Sequence, residues 1–226
     1  MSLVRKGGLI QLWQRLCMQI LNSGSYVATP YNSYIELIGI RMEISSINDC
    51  FSLNKYILEH TKEEIFKFMF DLWHDKNQTF SFGESYAKRL SDYEGINQIQ
   101  QTIALLTLNP YSRSATVILN NPCRDDPLKI ASPPCVSLLQ FLLRNQKLEM
   151  LVYLRSSDVG KKFCIDILFL SRIQKYVASK IDKDSGRIVV FIASAHIYIE
   201  DIEKIKNSLP KSKINIKKGD SYGNFG

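Results

Sequence analysis

From residue 114 onward the apolar residues change period, and that change limits what the chain can fold into. SATVILNN, CVSLLQFLLR and LEMLVYLRS read as strands or strand-like core runs, and RIVVFIASAHIYI as a strand rich in β-branched residues. Between them DILFLSRIQKYVASKI, 166–181, is long enough for a helix, with Leu170, Ile173 and Val177 on one side. Upstream, 8–22 places Leu9, Leu12, Leu16 and Ile20 near helical spacing, closed by Gly24. SYIELIGIRMEI, 33–44, reads as a strand. HTKEEIFKFMFDLW, 60–73, reads as a helix capped by Thr61, with Glu63 and Glu64 on the positive end of its dipole. INQIQQTIALLTLN is a further helix, stopped by Pro110. This order predicts one α+β domain over 1–226, a large mixed or mostly antiparallel sheet packed against helices. The polar stretch from about 211 to 226 is expected to be a flexible tail.

With 45% hydrophobic and 23% charged residues, the chain can bury a core. No apolar run approaches the roughly 20 residues that span a bilayer, so no membrane partner is implied. The five cysteines (Cys17, Cys50, Cys123, Cys135, Cys164) are odd in number and scattered, with no CxxC pair, which argues against a disulfide framework or a zinc site and suits a reducing cytoplasm. The net charge of +7 draws on a lysine-rich tail without aromatic interleaving, so it implies no nucleic acid polymer.

Three stretches can carry chemistry. Cys135 follows two prolines, which restrict the backbone and can present a side chain at a strand start. A lone cysteine there is by default core filler; a reactive one needs a nearby cation. Arg155, Ser156 and Ser157 bring an arginine and hydroxyls together, a plausible phosphate cradle. His196 and Tyr198, two apart on a strand, put their polar tips on one face.

In this order the motifs resemble the thymidylate synthase family. PPCVSLLQF matches its proline–cysteine nucleophile, YLRSSDV its Arg-Ser-x-Asp strand, KKFCID the segment ending in Phe-Asn, and SAHIYIEDIE its His-x-Tyr strand. YAKRLSDYEGINQI is similar to the Tyr-Gly-x-x-x-Arg stretch, NPYSRSATVILNNP to the Asn-Pro-x-Ser-Arg-Arg strand, and HTKEEIFKFM to the helix bearing the active-site glutamate, placed at Glu64. The resemblance implies a sheet face buried in a homodimer, with a pyrimidine nucleoside monophosphate and 5,10-methylenetetrahydrofolate as the two substrates. It implies that Cys135 adds to carbon 6 of the pyrimidine, so that carbon 5 attacks the one-carbon unit. Arg155 and Ser156 would hold the phosphate, with Arg155 also lowering the thiol pKa. Arg113 would reach the phosphate in the partner's site. His196 and Tyr198 would bind the sugar hydroxyl, Glu64 would relay protons, and Tyr86 and Asp158 would orient water and folate. The family's N-terminal phosphate arginine has no counterpart in VATPYNS; Lys161, Lys162 or Arg41 would have to substitute.

Asp166 is the informative departure. It stands eight positions after Asp158, where the family has the asparagine that reads uracil. An amide offers one donor and one acceptor, matching uracil at N3 and O4. Cytosine offers an amino donor and a bare N3; a carboxyl accepts from the first and, with a proton on the acid or on N3, completes the second bond. The alternative reading is a helix N-cap at the start of DILFLSRI. Base reading makes the expected product 5-hydroxymethyl-CMP or 5-hydroxymethyl-dCMP. The absence of the tryptophan-bearing insertion before Tyr86, and a chain end at 226 soon after Tyr198, would shorten the lid and admit water. Two alternatives remain: methylation of dUMP, and a catalytically inactive relative that binds nucleotide.

Overall fold

The computed structural model describes residues 5–47, 79–80, 83–126, 128 and 133–210. The helix expected over 60–73, with Glu64 and Trp73, and the tail beyond 210 lie outside the described residues. The elements are β1 (Arg5–Gly8), α1 (Leu9–Ser23), β2 (Ser25–Val27), β3 (Tyr34–Ser46), β4 (Thr79–Phe80), β5 (Gly83–Glu84), α2 (Tyr86–Ser91), α3 (Gln98–Leu108), β6 (Thr116–Ile118), β7 (Val136–Arg144), β8 (Lys147–Asp158), α4 (Phe163–Lys180), β9 (Asp184–Tyr198), and α5 (Ile202–Ser208) after a 3-10 turn.

Among the described residues a seven-stranded sheet runs β1-β3-β9-β8-β7-β6, with β2 also on β3. It is mixed: β8–β9 and β1–β3 are parallel, and the other pairs are antiparallel. The parallel pair follows from α4, which carries the chain back across the sheet between β8 and β9. The expected stripes are buried: Leu9, Leu12, Leu16 and Ile20 on α1, and Leu170, Ile173 and Val177 on α4. They join Leu148, Met150, Val152 and Leu154 of β8 and Ile188, Val190 and Ile192 of β9 in one core.

Two boundaries differ from the expectation. The strand read in SATVILNN shrinks to Thr116–Ile118. More consequentially, α4 begins at Phe163, not at Asp166. Lys162 is its N-cap residue, and the Asp166 N–H already donates to the Lys162 carbonyl at 3.0 Å. Asp166 is therefore a first-turn helical residue, and the N-cap reading of it is corrected.

A line of irregularity crosses the sheet near the ends of β8 and β9. The ladder skips Gly39 and Ala193 between Ile38↔Ser194 and Ile40↔Ile192. It skips Arg155 and Ala193 between Leu154↔Ile192 and Ser156↔Ser194. On β7 the register shifts between Val136 and Leu138. Gly39 supplies the φ of +72° that the bend needs on β3. Side chains alternate along a strand, so an added residue inverts which ones face the core. On β9 the core side passes from Ile188, Val190 and Ile192 to Ala195 and Ile197; on β3, from Met42 and Ile44 to Ile35. Beyond the line, Glu36, Ser156, Asp158, Ser194, His196 and Tyr198 therefore share the opposite face.

Candidate active site

Cys135 sits immediately before β7, and its carbonyl accepts from the Arg155 N–H at 3.0 Å. The Arg155 side chain clamps the same segment. Its Nε donates to the Pro134 carbonyl at 3.2 Å, Nη2 to the Pro133 carbonyl, and Nη1 to Ser156 Oγ at 3.2 Å. Ser156 Oγ lies 3.7 Å from Cys135 Sγ. The two prolines, with no N–H to donate, thus give their carbonyls to a guanidinium from the neighbouring strand.

Burial pushes the Cys135 thiol up, and Asp166 adds to the rise. Ser156 and Arg155 pull it down without overcoming those effects. Arg155 acts on the thiol in the expected, downward direction, but burial outweighs it and the net shift is upward. Asp166 is half-buried, and its removal from water pushes its carboxyl up to about 7; Lys162 opposes this and Asp158 reinforces it. Tyr86 opens α2, where Ser85 caps the helix by accepting from the Lys88 N–H at 3.1 Å. Its ring stacks on Phe169 of α4 with centroids 5.7 Å apart, and its hydroxyl accepts from the Val136 N–H at 3.5 Å. Burial raises the Tyr86 hydroxyl, helped by the nearby Asp166 and Cys135. Cys135, Tyr86 and Asp166 thus converge from three elements.

The second group lies on β8 and β9. Asp158 and His196 are register partners. Asp158 Oδ1 accepts from the Lys161 N–H at 3.1 Å, fixing the turn into α4. Burial raises Asp158 and lowers His196, although Asp158 and Glu36 both favour the imidazolium. His196 and Tyr198 meet edge to face at 5.1 Å. Trp13 of α1 ties this end down by donating Nε1 to the buried Val159 carbonyl at 2.7 Å.

Arg113 stands apart. It is exposed, in the loop before edge strand β6, and among the described residues its carbonyl accepts from Gln140 Nε2 at 2.8 Å. Two of the three expected phosphate substitutes are committed elsewhere. Lys161 ion-pairs with Asp201 at 2.8 Å and Glu200 at 3.3 Å. Arg41 lies on the far side of the kink, over the Phe191 ring and 3.8 Å from Glu43. Lys162, beside Asp166, remains near the site.

Sequence reasoning missed Tyr34, Glu36 and Ser194. Tyr34 packs on both His196, at 5.2 Å, and Tyr198, at 6.2 Å. Ser194 Oγ donates to Glu36 Oε2 at 2.6 Å. Their signal was present only as polar alternation in SYIEL and ASAHIY; the register that joins them is tertiary.

Comparison with known proteins bears on this arrangement. Residues 51–218 match the family model described as thymidylate synthase. The chain belongs to the thymidylate synthase family. It is 29% identical over 228 residues to a candidate thymidylate synthase of Methanocaldococcus jannaschii, covering 93% of this chain and 97% of the relative. It is 33% identical over 131 residues to the thymidylate synthase of Mycoplasma pneumoniae, covering 58% of this chain and 45% of the relative. Against that of varicella-zoster virus it is 34% identical over 133 residues, covering 58% and 44%. The chain thus spans about half the length of several curated relatives that it matches.

Proposed function

We propose that the protein transfers a one-carbon unit from 5,10-methylenetetrahydrofolate to carbon 5 of a pyrimidine nucleoside monophosphate through a cysteine adduct. The observation that carries this reading is the convergence of Cys135, clamped by Arg155 and Ser156, with the half-buried Asp166 and the buried Tyr86. The Cys135 sulfur adds to carbon 6, and the ring electrons move to carbon 5, which bonds to the one-carbon unit. Loss of the carbon-5 proton and expulsion of the folate amine leave an exocyclic methylene on a ring still bound to Cys135, which departs once hydride or water has added. Hydride from the folate then gives a methyl group; water gives a hydroxymethyl group. Arg155 is the cation for the phosphate, and His196, neutral at pH 7 by burial, and Tyr198 face the sugar. Glu64 is proposed as the proton relay, and Asp158 and Tyr86 as orienting residues.

Asp166 supports cytosine as the base, and hence the hydroxymethyl product. At about pH 7 its acid is part-protonated, so it can accept from the amino group and donate to N3. The same neutral acid can also donate to O4 and accept from N3–H of uracil. The relatives' names favour that second reading, methylation of dUMP. The Methanocaldococcus relative is covered over 97% of its length, so shortness alone does not separate the two outcomes.

The expected homodimer is supported by the sheet face opposite the helices. Ile118, Leu138, Tyr153 and Phe191 are successive register partners across it. Ile118 is 43% exposed and Tyr153 45%, and Ile38 on β3 is 77% exposed, an apolar surface suited to a second copy. A cytoplasmic setting suits the cysteine usage, and among the described residues no helix is long and apolar enough to cross a membrane.

Mass spectrometry of products tests the reading, with methylenetetrahydrofolate and CMP, dCMP, UMP or dUMP in parallel. A hydroxymethyl gain on a cytosine nucleotide, lost in Cys135→Ala, establishes hydroxymethylation. A methyl gain on dUMP establishes thymidylate synthesis. Binding without turnover of any of the four leaves an inactive nucleotide-binding relative.

A further inference from the structure

We infer that Glu36 is a specificity residue for the sugar, and that the substrate is a ribonucleotide. The inference rests on the proposed placement of the nucleotide, with its sugar at His196 and Tyr198. Glu36 is the register partner of His196 on β3, and Tyr34 is the partner of Tyr198. Both point to the face that carries Ser156, Asp158 and Ser194. A half-buried carboxylate is thus set into a wall of hydroxyls, aromatic edges and one imidazole. Its Oε2 accepts from Ser194 Oγ at 2.6 Å, and among the described residues no lysine or arginine ion-pairs with it. Glu36 also favours a proton on His196, so the two groups lie within electrostatic reach.

A carboxylate without a cation is a poor neighbour for a phosphate and a good acceptor for neutral O–H donors. Arg155 holds the cationic end of the site; Glu36 lies at the other, beside the aromatic pair. A ribose presents two adjacent hydroxyls there. The 3′-hydroxyl meets His196 and Tyr198, and the 2′-hydroxyl donates to Glu36. Carboxylates read ribose hydroxyls in the same way in dinucleotide sites of unrelated fold. A deoxyribose would leave the carboxylate facing a C–H, and a site built to pair a hydroxyl discriminates strongly against the analogue that lacks it. Holding Ser194 does not by itself call for a carboxylate, because the β9 backbone is already paired on both sides.

Equilibrium binding of CMP, dCMP, UMP and dUMP, without folate, tests this. In the native protein the ribo form of each base should bind about tenfold tighter or more. Glu36→Ala should bring the ribo-to-deoxy ratio to within about twofold, mainly by weakening ribonucleotide binding. Glu36→Gln, which keeps the shape and an acceptor, should lower the ratio part-way, since a neutral hydrogen bond is about half as strong as a charged one. It reads the same ratio if the alanine variant does not fold. Equal or tighter deoxynucleotide binding by the native protein overturns the inference, as does equal loss of both sugars in the variants. The base preference is read from the other ratio, so it fails independently. Binding of none of the four removes the nucleotide site and this inference with it.

Discussion

Removal from water shifts both Cys135 and Asp166 toward their neutral forms, and each shift has a measurable consequence. The folded pKa of Asp166, about 7, exceeds the ordinary carboxylate value of about 3.9, so the folded state keeps its proton longer than the unfolded chain. The contribution to stability is complete below about pH 4 and is lost progressively as pH rises to about 7. Asp166→Asn removes this term. In denaturant melts the variant should gain on the parent by up to a few kcal/mol between pH 4 and 7, at about 1.4 kcal/mol per pK unit, and level off above. A constant difference across that range would mean that Asp166 is solvated. For Cys135, the rate of alkylation, followed by peptide mass mapping, should still be climbing at about pH 9. Arg155→Ala should slow it severalfold at fixed pH, because the guanidinium is one of the two groups drawing the thiol down. An unchanged rate would show that Arg155 does not sense the thiol.

The elements are held around these groups by a few buried polar ties. Arg89 of α2 forms a two-pronged ion pair with Asp125, at 2.6 and 2.7 Å, with both side chains 1% exposed. It also donates to the Leu119 carbonyl just after β6. This pair pins α2, and with it Tyr86, to the loop that follows β6. Removing one partner strands a buried charge, so Asp125→Ala should cost about 3–5 kcal/mol by denaturant unfolding. A loss under about 1 kcal/mol would mean that water reaches the guanidinium. The kink across the sheet offers a gentler test. Gly39 has φ +72° and nothing within 4 Å of an added Cβ, so Gly39→Ala should cost only the conformational strain, about 1–2 kcal/mol. Gly24 is different in kind. A Cβ there would meet Ile35 Cγ2 at 2.5 Å and the Ile20 carbonyl at 2.6 Å, where α1 closes onto β3.

For the whole molecule the decisive matter is whether one chain makes a complete site. Arg113 is exposed before the edge strand, and its guanidinium makes no hydrogen bond or ion pair among the described residues. If it serves a partner's phosphate, Cys135→Ala and Arg113→Ala should each be inactive alone. Mixed after joint unfolding and refolding, they should regain about a quarter of native activity, because half of the dimers carry one intact site of two. No recovery, or a monomer by light scattering at micromolar concentration, would take Arg113 out of the site.

Local pattern settled a good deal. The α1 and α4 stripes, the strands β3, β7, β8 and β9, and the polar tips of His196 and Tyr198 all follow from periodicity, which depends only on neighbours in the chain. The ordered motifs placed the chain in its family, as the match over 51–218 bears out. Periodicity did not mark where α4 begins, because Phe163, Cys164 and Ile165 are buried on arrival from β8 and carry no capping signal. That boundary moved Asp166 from a cap to a half-buried carboxyl in the first helical turn. Nor could the sequence show that Glu36 faces His196 across 160 residues, or that Gly39, Arg155 and Ala193 fall at one level of the sheet. Strand register is fixed by packing between distant segments, and an irregularity in one strand inverts its faces only in relation to its neighbours. The sequence alone therefore determined the family and most of the elements, because both are written in local order and period, and the tertiary structure decided which polar side chains meet, because strand register joins segments far apart in the chain.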